Sequence, residues 1–190
     1  MSKAGQSRLE KVTRYSASLR TLFTFAFAIV AASAVISALV LLLGPVDGRD
    51  VVVGHRVYSG EEITTTIRIV EAIGSLLGFA IVLMLLHHLR VLFGLYASGQ
   101  IFTAENVRQI REIGVSVMLF TAVWAYDLLA DILLGVGPAM PVSTAVRIGS
   151  GIGFRLPAPF TPIVAGIIIV IVSWVMDAGR ELREEQDLTV

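Results

Sequence analysis

The sequence predicts an all-α integral membrane protein, a four-helix bundle with short extracytoplasmic loops. Of its 190 residues, 55% are hydrophobic and 16% are charged, whereas soluble domains have about 45–50% apolar and about 25% charged residues. Four apolar segments are each long enough to cross about 30 Å of hydrocarbon, which takes roughly 20 helical residues. We expect a single domain over residues 1–190, with spans at about 22–43, 70–94, 113–134 and 160–178.

The first, second and fourth spans are predicted from length and apolarity. Gly44 and Pro45 end the first. The threonines at 64–66 argue against an early start for the second, because β-branched residues are poorer helix formers. The charged residues that bound these three runs are Arg20 and Asp47, Glu71 and Arg90, and Arg155 and Asp177.

The third span is interrupted by Asp127 and Asp131. Each aspartate costs about 2.5–3.5 kcal/mol at the middle of a membrane helix, and apolar neighbours offset part of that cost. Their i,i+4 spacing places both carboxylates on one face of the helix. Three interpretations stay open: a structural pair that bonds other helices or Arg147 or Arg155, a ligand or ion sensor, and a proton-coupled transport site.

The distribution of basic residues predicts the orientation. Ten of the 15 Lys and Arg residues lie in the segments that share one side: Lys3, Arg8, Lys11, Arg14, Arg20, Arg90, Arg108, Arg111, Arg180 and Arg183. By the positive-inside rule, both the basic N-terminal segment 1–20 and the tail 179–190 are cytoplasmic. We therefore expect a multi-pass protein of the cytoplasmic (inner) membrane.

The two outer loops differ in composition. Residues 51–58 contain a β-branched run and a glycine, which indicates a small β-hairpin. Residues 135–159 are rich in Gly and Pro, but they lack the spacing of a phosphate-binding loop. The absence of cysteine excludes thiol nucleophiles and cysteine metal sites, and the three scattered histidines indicate no metal site. No cofactor and no direct binding of nucleic acid are expected.

A turn motif between the second and third spans is the sharpest local pattern. Gly99 suits a helix end that needs φ > 0, and Thr103 suits an N-cap. The segment is either a well-capped connector or a docking surface for a cytoplasmic partner. Its candidate docking residues are Gly99, Phe102, Thr103, Glu105, Asn106, Arg108 and Arg111.

A tail motif follows the fourth span and has the same two interpretations, a solvated helical end or a partner-binding segment. Its residues are Gly179, Leu182, Glu185, Leu188, Thr189 and Val190. With the turn motif, it makes the chain resemble the bacterial membrane-protein family known as domain of unknown function 2975 (DUF2975), from about Leu22 to the end. The resemblance implies four spans and, since these genes often neighbour a small helix-turn-helix regulator, a transcription factor as partner.

The sequence thus favours a non-enzymatic regulatory or sensory protein of the lipid bilayer, which acts with a helix-turn-helix regulator. The alternative is a small transporter or channel that uses Asp127 and Asp131. Gly74 and Gly78 form a GxxxG pattern, which permits close helix packing within the bundle or between the protomers of a homo-oligomer.

Overall fold

The computed structural model describes residues 3–45, 50–53, 56–100, 103–135, 143–148, 152–157 and 160–187. Its long helices are α1 (Lys3–Leu43), α2 (Thr65–Ala97), α3 (Ala104–Leu133) and α4 (Phe160–Asp187). All four are long and apolar enough to cross a membrane, and α3 has the lowest mean hydropathy among them. The prediction of a helical multi-pass membrane protein is confirmed at this level.

The helices expose large apolar side chains. Phe25 and Ile29 on α1 are each about two-thirds exposed, and Ile168 and Val175 on α4 are exposed as well. Contiguous apolar surface of this kind marks a surface that is covered by another apolar phase, here the lipid that the hydropathy of the four helices requires.

Three helix starts lie earlier than the expected spans, and α3 begins at Ala104, directly after its predicted N-cap Thr103. α1 begins at Lys3, so the basic N-terminal segment is continuous with the first span. α2 begins at Thr65 because Thr64 caps it. The Thr64 hydroxyl accepts from the amide of Ile67 at 3.4 Å, and the Thr64 carbonyl accepts from the amide of Arg68 at 3.1 Å. Threonine is a poor helix former in the interior but a favoured residue at the N-cap.

Contacts within the chain divide it into two compact units. Unit 1 comprises Met1–Ile29, Val82–Met118 and Ala165–Val190. Unit 2 comprises Val30–Ile81 and Leu119–Val164.

The small hairpin predicted in the first loop is present in unit 2. Strands β1 (Asp50–Val53) and β2 (Arg56–Ser59) pair antiparallel, with Val51 opposite Tyr58. The hydroxyl of Ser59 donates to Asp50 Oδ1 at 2.6 Å across the open end of the hairpin. A 3₁₀ helix, Gly60–Glu62, leads from β2 toward α2.

The hairpin is stable because its inner face packs on helices. Val51, Val53 and Tyr58 are buried, together with Ile63 and Ile67 of the segment that enters α2 and Ala130 of α3. A lone two-stranded hairpin is marginal in water, so this shared core replaces the strands that a larger sheet would supply.

The second loop contains a hairpin that the sequence analysis did not predict. Strands β3 (Ser143–Ile148) and β4 (Ile152–Pro157) pair antiparallel, with Ala145 opposite Arg155 and Ile148 opposite Ile152. The glycines of the loop obscured the pattern, although β-branched and apolar residues occur on both sides of the turn.

Candidate functional site

A pocket of about 320 Å³ lies beside the first hairpin in unit 2. Its walls come from the end of α1 (37–45), from β1 (50–52) and from the segment 63–75 at the start of α2. We call it the hairpin pocket. Its volume is at the lower end of the range for small-molecule sites, about 300–1,000 Å³.

Arg68 supplies the positive charge of the hairpin pocket. Its NH1 donates to the carbonyl of Gly44 at 3.1 Å. Gly44 follows the last residue of α1, where a carbonyl has no partner within its own helix. The guanidinium therefore satisfies a free helix end and is held at the wall of the pocket.

Glu71 supplies a negative charge one turn further along α2. The carboxylate is half-buried, and its Oε1 accepts from the Ser75 hydroxyl at 2.9 Å. Glu71, Ser75 and Arg68 all line the pocket, and Asp50 of β1 adds a second carboxylate. The site therefore offers both signs of charge beside the apolar walls of Val40 and Val51.

Sequence reasoning missed this site. It treated Glu71 only as the boundary of the second apolar run. The spacing of Arg68, Glu71 and Ser75, at i, i+3 and i+7, places them on one helical face and was the available signal. Their meeting with Gly44 and β1 was not visible, because it depends on how the chain folds back over the intervening residues.

The intramembrane aspartates lie in unit 2 but are not among the described residues that line the hairpin pocket. Asp131 is 1% exposed and Asp127 is half-buried, and both interact with other groups. The side chains of Arg147 and Arg155, considered above as partners, lie outside the described residues.

The turn motif in unit 1 begins with a complete helix-ending motif. Gly99 has φ +80°. Its amide donates to Tyr96 O at 3.1 Å, and the amide of Gln100 donates to Leu95 O at 3.0 Å. These two bonds define a Schellman motif, which favours glycine because only glycine adopts positive φ without strain.

Thr103 and Asn106 then start α3. The Thr103 hydroxyl accepts from the amide of Asn106 at 3.3 Å, as expected for an N-cap. The Asn106 side chain is fully buried, and its Nδ2 donates to the carbonyl of Gln100. Asn106 therefore joins the two sides of the turn. Ile101 and Phe102 lie outside the described residues.

A polar chain links this turn to α2. Arg108 NH2 donates to Glu105 Oε1 at 2.8 Å, and Gln109 Nε2 donates to the same oxygen at 2.7 Å. Gln109 Oε1 lies 2.8 Å from His88 Nδ1, so with this amide orientation His88 donates. Gln109 is buried, and sequence reasoning identified neither it nor His88 as part of the motif.

The remaining candidate residues have less defined surroundings. Arg111 is half-buried, and its Nε has no hydrogen-bond partner among the described residues. Gly179 and Leu182 are exposed on α4, and Glu185 belongs to its last turns. Leu188, Thr189 and Val190 lie outside the described residues. In the part of the chain that the structure describes, no three metal-ligating side chains form a cluster.

Glycines bring helices together at two places. In unit 2, a Cβ on Gly74 would lie 2.7 Å from Cε1 of Tyr126, whereas a Cβ on Gly78 would meet nothing within 4 Å. In unit 1, a Cβ on Gly114 would lie 2.9 Å from the carbonyl oxygen of Gly166. Among the described glycines, Gly114 and Gly166 are therefore the pair at which two helix backbones, those of α3 and α4, come together, and no GxxxG pattern marks them.

A family model described as "Protein of unknown function (DUF2975)" matches residues 58–190. It confirms the family resemblance, although the match begins at Tyr58 and not near Leu22. No curated protein and no solved structure matches the chain.

Proposed function

We propose that this chain, which belongs to the DUF2975 family, is a non-enzymatic sensory membrane protein that binds a small zwitterionic molecule in the hairpin pocket. The observation that carries the proposal is the pocket itself, in which Arg68 and Glu71 line one cavity of ligand size. A guanidinium recognises a carboxylate of the ligand, and Glu71 or Asp50 recognises its ammonium group.

The construction of the pocket suits a sensor. Three separate segments form its walls: the end of α1, the strand β1 and the start of α2. A ligand that contacts all three segments binds more tightly when the segments are together than when they are apart. Binding therefore shifts the population toward the conformation in which the three segments are together. Binding is thereby converted into a change in the positions of helices that cross the membrane.

The excess of basic residues supports cytoplasmic termini, with the hairpin pocket on the outer side. The turn motif and the tail motif then face the cytoplasm. We assign them as the docking surface for a small helix-turn-helix regulator, the partner that the family resemblance implies. Arg108, whose side chain is 66% exposed, is the residue of the turn motif best placed to contact it.

The ligand proposal is tested on the purified full-length protein in an uncharged detergent. Alanine and glycine betaine are the zwitterionic probes, and acetate and methylammonium are their singly charged counterparts. Only the zwitterions are expected to raise the melting temperature, because only they pair with both charges. A ligand at 100 times its dissociation constant stabilises a protein by about 2.7 kcal/mol.

Arg68→Lys and Glu71→Gln are expected to abolish the ligand-dependent rise. Glu62→Gln is the matched control: this exposed carboxylate lies in the 3₁₀ helix before α2 and outside the pocket lining. The proposal fails if no zwitterion raises the melting temperature, or if Glu62→Gln removes the rise as completely as Glu71→Gln.

The partner proposal is tested by co-purification from native membranes. A helix-turn-helix protein is expected to accompany the full-length chain, and to be lost from Phe102→Ala and from a chain truncated after Gly179. Recovery of the same regulator with both variants contradicts the assignment of these motifs as the docking surface.

Transport is the second candidate, favoured by one observation. Asp131 is almost fully buried in a spanning helix, one turn after Asp127. Intramembrane carboxylates often mark proton or ion paths. If the chain is a proton-coupled transporter, Asp127→Asn abolishes a pH-dependent flux in proteoliposomes while Glu62→Gln preserves it. Unchanged flux in Asp127→Asn excludes this function.

A further inference from the structure

A groove between α1 and α2 in unit 1 carries two arginines. Arg20 of α1 and Arg90 of α2 line it together with Thr24 and Gly94, in a volume of about 440 Å³. Arg20 and Thr24 also line a second groove, of about 370 Å³, which continues to the exposed ring of Phe25. We call the first the arginine groove.

Each arginine lies across the neighbouring helix. A Cβ on Gly94 would lie 3.6 Å from both Cδ and Nε of Arg20, an ordinary van der Waals distance, so the Arg20 side chain packs over Gly94 of α2. The guanidinium carbon of Arg90 lies 5.3 Å from the centroid of the Phe27 ring, within range of a cation–π interaction. Both guanidinium groups are thus held at the groove by the opposite helix.

Neither guanidinium has a carboxylate partner in the part of the chain that the structure describes: no described carboxylate lies within 4 Å of either group, and neither group donates a hydrogen bond. Arg20 and Arg90 bound the apolar runs of α1 and α2, where long basic side chains reach the level of the lipid headgroups. Both guanidinium groups can therefore bind an anion.

The chemistry of that anion follows from the surroundings. Guanidinium groups bind phosphate oxygens through two parallel hydrogen bonds. The hydroxyls of Thr21 and Thr24 donate to carbonyls of their own helix, which leaves the arginines as the donors. Phe25, 66% exposed, and Ile29, 65% exposed, continue from the groove along α1 as an apolar surface for acyl chains.

We propose that the arginine groove is a binding site for the phosphate group of an anionic phospholipid. The headgroup phosphate bridges Arg20 and Arg90, and the acyl chains lie along the exposed apolar face of α1. Basic pockets between transmembrane helices bind such headgroups in general. The site is separate from the hairpin pocket and does not depend on the sensory function proposed above.

The test uses full-length protein in an uncharged detergent, with phosphatidylglycerol or phosphatidylcholine of identical acyl chains. Native mass spectrometry counts the lipids that remain bound. Phosphatidylglycerol is expected to bind the wild type more tightly than phosphatidylcholine. In Arg20→Gln/Arg90→Gln its affinity is expected to fall about 30-fold, since each basic residue near a headgroup contributes roughly fivefold.

Arg14→Gln is the matched control for Arg20→Gln alone, because each removes one positive charge from α1 and Arg14 lies at an exposed position outside the groove. It is expected to retain phosphatidylglycerol. If the double glutamine variant does not fold, Arg20→Lys/Arg90→Lys replaces it. The lysine variant keeps the charge but loses bidentate binding, so a smaller loss of affinity is expected.

Three outcomes overturn the proposal. Equal retention of the two lipids by the wild type excludes recognition of an anionic headgroup. An equal loss in Arg14→Gln and in Arg20→Gln shows that net charge, and not the groove, holds the lipid. The third outcome is that inorganic phosphate raises the melting temperature of the lipid-free wild type but not of the double variant, while phosphatidylglycerol has no such effect. This result identifies free phosphate as the ligand. None of these three outcomes affects the ligand titrations of the hairpin pocket, so the two proposals can fail separately.

Discussion

The turn between α2 and α3 and the hairpin pocket use their polar side chains in different ways. At the turn, the side chains of Thr103 and Asn106 bond to the backbone, and the buried Gln109 bonds to the side chains of Glu105 and His88. In the hairpin pocket, Arg68 and Glu71 each have one bond but also line an open cavity. The difference indicates that the first region holds the fold and that the second has capacity left for a ligand.

Unit 1, which contains the turn motif, and unit 2, which contains the hairpin pocket, also differ in how their helices contact one another. In unit 1, α3 and α4 meet backbone to backbone at Gly114 and Gly166. In unit 2, α2 meets α3 through the ring of Tyr126, which covers Gly74 and whose hydroxyl donates to the Val70 carbonyl at 2.5 Å. Backbone contacts cannot yield to an added group, whereas a side chain can move. Unit 1 should therefore tolerate substitution less well.

The strongest test of this comparison is Gly166→Ala. The new Cβ would clash with Met118 and lie 2.5 Å from the Gly114 carbonyl oxygen, so α3 and α4 must separate. Overpacking of this kind costs up to about 3 kcal/mol. Gly78→Ala is the control, since its Cβ would meet nothing within 4 Å and alanine gains up to about 1 kcal/mol within a helix.

Both variants are measured by unfolding in mixed micelles of increasing sodium dodecyl sulfate, followed by circular dichroism. Equal midpoints for Gly166→Ala and Gly78→Ala would show that the backbone crossing of α3 and α4 does not limit stability.

A smaller effect is expected from Gln109→Leu. The substitution removes the donor to Glu105 and the acceptor opposite His88, which leaves partly buried groups unsatisfied at a cost of about 2 kcal/mol. Arg108→Gln breaks only an exposed ion pair and should cost at most about 1 kcal/mol. The same unfolding assay compares them. If Arg108→Gln destabilises the protein as much as Gln109→Leu, the interior of the polar chain has no special role.

The smallest effect is expected from Tyr126→Phe in unit 2. It keeps the ring that packs on Gly74 and loses only the hydroxyl that donates to Val70, at a cost of about 1 kcal/mol. Tyr15→Phe, at a side chain 69% exposed, should change nothing. A loss in Tyr126→Phe larger than that in Gly166→Ala would reverse the ranking of the two units.

Much of the architecture was predictable from local sequence. The apolar runs gave four spanning helices, because the cost of exposing backbone polar groups in lipid allows few other solutions. Gly99 predicted the end of α2, and Thr103 the start of α3, because capping depends on a few adjacent residues. The hairpin at 51–58 was recognisable from its β-branched residues, whereas the glycines and prolines around β3 and β4 concealed the second hairpin.

The candidate sites were less predictable. Asp127 and Asp131 were conspicuous because charge is rare within a span, yet the described charges that line the hairpin pocket are those of Asp50, Arg68 and Glu71. The GxxxG pattern drew attention to Gly74 and Gly78, but among the described glycines it is Gly114 and Gly166 at which a Cβ would lie within 3 Å of the backbone of another helix. In both cases the deciding partner comes from a distant part of the chain.

The sequence by itself determined that the chain crosses the membrane, that it belongs to the DUF2975 family, and where α2 ends and α3 begins. These properties depend on transfer free energy and on hydrogen bonds between near neighbours. Only the tertiary structure decided which charges face a cavity, which glycines let helices touch, and which arginines have no carboxylate partner among the described residues. These properties depend on the partners that packing brings together, and the spacing of residues along one helix does not specify them.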